Sequence, residues 1–353
     1  MVTKTKQLIA VLLITLLAAF AAGCGQQPAG GTGEKKEAAT GPLAGKRIAL
    51  VMQQNLGTFS SQYISGVKTE AEKFGGQVTV FAADNDLGRM SSNLDAAINQ
   101  KFDAILIDHG TPAALLNGVQ NAVAKHIPVV VFDADVKAPG VTVLQQDDKQ
   151  LTKLTLDKLA KDAGGKANIV KIWVAGYAPM ERRQAAYKEF MASNPGIKEV
   201  ATFGAATQNT ALDTQAQMEA ILKKYPNKGE ITAVWAAWDE FAKGATRAIE
   251  QAGRTDIKVY GIDMSDEDLQ MIQNPNGPWV TSAAVDPKDI GRVQVRYAAQ
   301  KIHGDKTPDN VVLNPVVVNR EELPKEKVTT DQLSQHIKAW GNSTQGIADW
   351  MKK

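Results

Sequence analysis

A single cysteine, Cys24, in 353 residues leaves no partner for an intramolecular disulfide. The four histidines, His109, His126, His303 and His336, are scattered without the spacing of a metal site. Charge of neither sign dominates: 40 Lys and Arg stand against 38 Asp and Glu, so there is no electrostatic footprint for nucleic acid. Also missing are a phosphate-cradling G-x-x-x-x-G-K-S/T and a G-x-S-x-G nucleophile turn, and no catalytic constellation replaces them. Asp108 and Asp133 suit acid–base work, but carboxylates facing hydroxyls serve binding equally well. The acidic "DMSDED" (263–268) lacks the glycine and terminal glutamate of a calcium loop and reads as a capped helix start. No metal and no cofactor are expected.

What is present begins with a leader. "MVTKTK" is basic, and "QLIAVLLITLLAAFAAG" is an uninterrupted apolar run ending in small residues, the layout of an export signal rather than a membrane span. Cys24 follows directly and resembles the lipobox cysteine of bacterial lipoproteins, with Ala21 where Leu is usual. The expectation is cleavage after residue 23, lipid on Cys24 and an extracytoplasmic location at the membrane. Cleavage removes Lys4 and Lys6, which takes the formal charge from +2 to zero. Residues 24–45, rich in Gly, Ala and charge, read as a flexible tether.

From Lys46 onward, short apolar runs alternate with helical patterns. "RIALVM" (47–52), "QVTVFA" (77–82), "DAILID" (103–108) and "IPVVVFD" (127–133) read as strands. After about 145 come "ANIVKIWVA" (167–175), "EVATFGA" (199–205), "ITAVWAA" (231–237), "IKVYGID" (257–263) and "WVTSAAV" (279–285). Continuous apolar strands separated by helices predict an α/β class with parallel sheets, in two halves of similar build. The tail beyond Pro324 reads as partly helical.

Ligands of open parallel sheets bind outside the carboxyl ends of the strands. Those ends offer Gln53, Gln54, Asn55 and Phe59, then Asp108 with His109, then Asp133 and Asp135. The second half offers Tyr177, Arg183, Asn209, Trp238 with Asp239, and Asp263. Aromatic faces covering C–H surfaces, with carboxylates and amides between them, suit a polyhydroxyl ring. Duller roles compete. Asp239 suits a helix cap, Trp235 suits the core, and Arg183 is placed to pair on the surface with Glu181 or Glu189.

Five blocks in order then resemble the type I periplasmic binding proteins of the ribose and galactose class: "IALVMQQNLGTFSSQYISGVKTEAEKFG", "DAILIDHGTPAALLNGVQNAVAKHIPVVVFDAD", "MERRQAAYKEF", "ITAVWAAWDEFAKGATRAIEQAGRTDIKVYGID" and "DPKDIGRVQVRYAAQKIHGD". The resemblance implies two Rossmann-like parallel-sheet lobes joined by a three-crossing hinge, 46–145 plus 286–311 and 146–285 plus 312–320, with 321–353 an extension. It implies a monomeric solute-binding protein serving an ABC permease and ATPase, without catalysis. The matched ligand contacts are Gln53, Phe59, Asp133, Arg183, Asn209, Trp238 and Asp263; Asn55 and Asp108 join them as candidates from their places at the strand ends. Three departures are notable. The family's arginine after the first-lobe aspartate is Ala134, its amide before "DE" is Trp238, and its late polar contact is Val285. A bulkier, more apolar and less basic pocket points to a pentose, deoxysugar or polyol other than ribose. A receptor for a furanose-like quorum or chemotaxis signal is the alternative.

Overall fold

A computed structural model describes residues 41–352; the leader, Cys24 and most of the tether lie outside them. Its first lobe opens with β1 (Arg47–Met52), α1 (Gly57–Lys73), β2 (Gln77–Ala82), α2 (Leu87–Asn99), β3 (Ala104–Asp108), α3 (Pro112–Ala124), β4 (Val129–Phe132) and β5 (Thr142–Gln146). The second follows with α4 (Asp148–Asp162), β6 (Ala167–Ile172), α5 (Ala178–Ser193), β7 (Ile197–Phe203), α6 (Thr210–Lys224), β8 (Ala233–Ala236), α7 (Asp239–Gln251), β9 (Lys258–Ile262), α8 (Asp266–Gln273) and β10 (Trp279–Ala284). The chain then returns through α9 (Pro287–His303) and β11 (Asn310–Leu313) to the first lobe, and through β12 (Val316–Asn319) to the second.

Each lobe is built on a six-stranded sheet, ordered β11-β5-β4-β3-β1-β2 and β12-β10-β9-β8-β6-β7. The first is parallel throughout; the second is parallel except at its edge, where β12 runs against β10. Central strands such as β3 and β4 are buried at every position, which is why their runs are continuously apolar rather than alternating. The sheet order reverses beside β1 and β6, so the strand ends open a crevice in each lobe.

Helix ends follow local chemistry. Thr111 accepts from Ala114 N–H with Pro112 at the first helical position, and Ser265 with Asp268 forms the capping box that opens α8. Helices α1 and α9 pack closely because of two glycines. A Cβ on Gly66 would stand 2.2 Å from Lys288 O, and one on Gly291 would stand 2.5 Å from Tyr63 O.

The chain crosses between lobes after β5, after β10 and at Asn314–Pro315, so Val312 and Leu313 pair in the first sheet. The last crossing therefore falls two residues beyond the expected boundary. A fourth crossing comes from the tail. Val328, Leu333, Ile337 and Trp340 pack into the second lobe's core, whereas Ile347, Ala348, Trp350 and Met351 pack into the first. The other end of the folded part also belongs to the first lobe: Leu43 is buried there and its N–H donates to Phe74 O at 2.8 Å.

Candidate ligand-binding site

The strand ends of both lobes face one cavity. It is lined by Gln54, Leu56, Phe59, Ser60, Tyr63, Asp108, His109, Phe132, Asp133 and Gln146 from the first lobe and its crossing. The second lobe contributes Val174, Tyr177, Pro179, Met180, Arg183, Trp238 and Asp263. Three of these, His109, Asp133 and Asp263, have left-handed backbones, with φ of 62°, 49° and 74°. Asp and His tolerate that region better than bulkier residues. Each N–H still donates along the sheet, to Phe132 O, Leu144 O and Ala283 O respectively. Backbone strain of this kind clusters where function requires a side chain to be held in place.

The polar part of the lining is an ionic network. Arg183, 2% exposed, donates from Nε to Asp148 Oδ1 at 2.7 Å, from Nη1 to Ala237 O at 2.6 Å and Asp263 Oδ2 at 3.1 Å, and from Nη2 to Asp263 Oδ1 at 3.2 Å. Gln146 Nε2 donates to Asp263 Oδ1 at 3.3 Å, while its buried Oε1 has no partner. That carbonyl is a ready acceptor for a ligand hydroxyl. Asp108 Oδ1 lies 2.7 Å from His109 Nδ1. Burial lowers the imidazole's basicity, but the Asp108 carboxylate outweighs it and lifts His109 to about 9. Burial and the nearby Asp148 raise Asp133 to about 7, against the pull of Arg182.

The apolar part comprises Leu56, Phe59, Phe132, Val174, Pro179, Met180 and Trp238. Phe132 stacks on Tyr63 with centroids 5.8 Å apart, and Trp238 is braced edge-on by Phe241 at 5.3 Å. The lobes are closed over this space. Gln54 Nε2 donates to Tyr177 Oη at 2.6 Å, Tyr177 Oη to Asn85 Oδ1 at 2.9 Å, and Gln208 Nε2 to Asp84 O at 2.8 Å, all across the cleft.

Of the residues expected to touch ligand, Phe59, Asp108, Asp133, Arg183, Trp238 and Asp263 line this cavity together. Gln53, Asn55 and Asn209 are not in its lining. Gln53 is buried one layer back, accepting from Gly110 N–H at 2.8 Å and donating to Asn85 at 2.9 Å. Asn55 is exposed, and Asn209 borders a separate depression with Leu212 and Arg247. The surface pairing of Arg183 with Glu181 or Glu189 does not occur; its guanidinium points inward to aspartates that arrive from α4 and the end of β9. Trp235 is core, fully buried and stacked on Tyr187 at 4.9 Å.

Asp239 needs a correction. Helix α7 begins at Asp239, Trp238 occupies the cap position, and no side chain caps it. Asp239 is instead fully buried outside the cavity lining. Lys243 Nζ lies 3.6 Å from Asp239 Oδ2 and 3.6 Å from Asp268 Oδ1. Helix α8 delivers Asp268 against it, so two buried carboxyls face the same lysine. Burial, opposed by Lys243, raises Asp268 from 3.8 to about 6. A carboxyl raised in the folded state stabilises fully below about pH 4 and loses that contribution as pH rises through about 6. Relative to the parent, Asp268→Asn is therefore expected to gain about 2–3 kcal/mol between about pH 4 and about pH 7, read from urea unfolding. A pH-independent difference would reject the raised Asp268 carboxyl.

Comparison with known proteins adds to this geometry. The periplasmic binding protein domain family matches residues 48–306. A sugar ABC transporter structure from Yersinia enterocolitica subsp. enterocolitica is 40% identical, covers 86% of this chain and 92% of its own, and superposes with a TM-score of 0.84. A 5-methylthioribose transporter solute-binding protein from Thermotoga lettingae, solved with 5-methylthioribose, is 39% identical with a TM-score of 0.83, covering 87% of this chain and 98% of its own. The ribose import binding protein RbsB of Bacillus subtilis is 27% identical over 70% of this chain and 78% of its own.

Proposed function

Since the chain belongs to the periplasmic binding protein domain family, acting as a sugar-capturing solute-binding protein of the ABC-importer type, we propose that its ligand is a pentose carrying an apolar arm. The observation that carries this reading is the divided cavity. Asp108, Asp133, Gln146 and Asp263 offer acceptors for hydroxyls, while Leu56, Val174, Pro179 and Met180 offer nothing that a hydroxyl can bond. A sugar with hydroxyls all round would leave one buried against that apolar wall, at a cost of about 1–3 kcal/mol. Replacing that hydroxyl by a methylthio group removes the cost and adds apolar burial. The Thermotoga relative's 5-methylthioribose is such a solute.

Phe59 and Trp238 cover the ring's faces, and closure of the lobes completes the site, a shift toward the closed state favoured by contacts from both sides. The protein works as a monomer anchored by lipid on Cys24, presents the closed form to a permease and its ATPase, and performs no reaction on its cargo. Calorimetric titration with 5-methylthioribose, ribose, xylitol and allitol tests the ligand. The methylthio sugar is expected to bind tenfold or more tighter than ribose. Equal or stronger binding of ribose would reject the apolar arm. Mass spectrometry of the membrane-extracted protein tests the anchor: a mass without acyl chains on Cys24 would reject it.

A further inference from the structure

The guanidinium next to the aspartate of the first lobe comes from the wrong side. Where the resembled family carries arginine directly after that aspartate, this chain has Ala134, which is buried and apolar. Arg182, on α5 of the second lobe, takes its place. Its Nη2 donates to Asp133 Oδ1 at 2.7 Å and its Nη1 to Asp135 Oδ1 at 3.2 Å, both on the first lobe. Its Nε donates to Asp148 Oδ2 at 2.6 Å, on the second. Among the described residues, Arg182 is the one arginine whose ion pairs join the lobes. It does not line the cavity, whereas its neighbour Arg183 does.

We propose that Arg182 is a closure latch: a positioning residue that fixes Asp133 for ligand only when the lobes are shut, and so retains the captured solute. With lobes apart, Asp133 and Asp135 lose this partner and are hydrated, while Asp148 keeps Arg183. The latch therefore forms after the solute has entered, so it acts on escape rather than on entry. Its strength comes from charge-assisted bonds with little solvent access, since the side chain is 23% exposed and Asp133's is 1%. Exposed Asp135, at 53%, contributes little.

This inference rests on the cleft being the solute site, and not on which solute enters it. The folded part has no cysteine, so Asn99→Cys and Lys198→Cys place spin labels on exposed positions of the two lobes. Label distances and stopped-flow rates are read for parent, Arg182→Lys and Arg182→Gln, with 5-methylthioribose or, should the parent take only ribose, with ribose. In Arg182→Gln the dissociation rate is expected to rise tenfold or more with the association rate within twofold, and the solute-bound distance distribution to broaden toward the open one. Arg182→Lys, which keeps charge but cannot reach three carboxylates at once, falls between. Matching distances and dissociation rates in parent and Arg182→Gln would overturn the latch, as would a loss confined to association. A parent that takes ribose and refuses 5-methylthioribose rejects the ligand reading and leaves the latch to be decided by the ribose rates.

Discussion

Trp238→Ala is expected to weaken solute binding by roughly 30- to 1,000-fold, an aromatic anchor's share of about 2–4 kcal/mol, while the unfolding midpoint moves little. Trp235→Ala should do the reverse. The two residues stand three apart at the end of the same strand and differ in what they touch. Trp235 is fully buried, stacks on Tyr187 and donates from Nε1 to Thr155 Oγ1 at 3.0 Å. Its truncation leaves a large cavity in the core, about 3–5 kcal/mol of stability. Trp238 is half-buried and gives its free face to the cavity, so removing it opens a gap already beside solvent. Urea unfolding and calorimetric titration on both variants separate the cases. Loss of stability from Trp238→Ala equal to that from Trp235→Ala would place Trp238 in the core instead of the cleft.

Arg183→Met is expected to be the most damaging single change in the site. It leaves Asp263, nearly inaccessible to water, without its countercharge, and Asp148 with Arg182 alone. Breaking one side of such a pair costs about 3–5 kcal/mol because the remaining carboxylate must be desolvated alone or protonated. The Ala237 carbonyl loses its donor as well. Stability and binding should therefore fall together, unlike in Arg182→Gln, where binding falls first. An Arg183→Met protein that unfolds like the parent would show that Arg182 alone carries the network.

The contrast between these adjacent arginines explains what was legible in the sequence. The strands were readable because β3, β4 and β8 are buried on both faces and leave no polar position to obscure the pattern. The cavity's polar residues were readable because strand ends in an α/β sheet are where an aspartate or tryptophan has no structural reason to be. Helix phase, however, decides that Arg183 shares the inward face with Ala186 and Tyr187 while Arg182 turns toward the other lobe. Nothing in "MERRQAAYKEF" says what lies opposite. Asp148 reads as an acid in a first helical turn and proves to be the partner of both arginines. Val174, Pro179 and Met180 carry the apolar wall but look like any core residue. The buried role of Asp239 depends on Asp268, which α8 brings from 29 positions away, so local chemistry pointed to a cap. Asn55 and Asn209 have the right residue type at the right strand ends, yet side chains just past a turn are aimed by loop geometry that composition does not encode.

Both ends of the folded part are fastened to the same lobe, through Leu43 against Phe74 at one end and Met351 in the core at the other. Under the lipid anchor proposed above, the first lobe would thus act as the stator, leaving the second lobe as rotor. The swing that traps cargo then moves Arg182, Arg183 and Trp238 toward a stationary Phe59 and Asp133. Because the tail straddles the pivot from Trp340 to Met351, that rotor turns against a stay running across its axle.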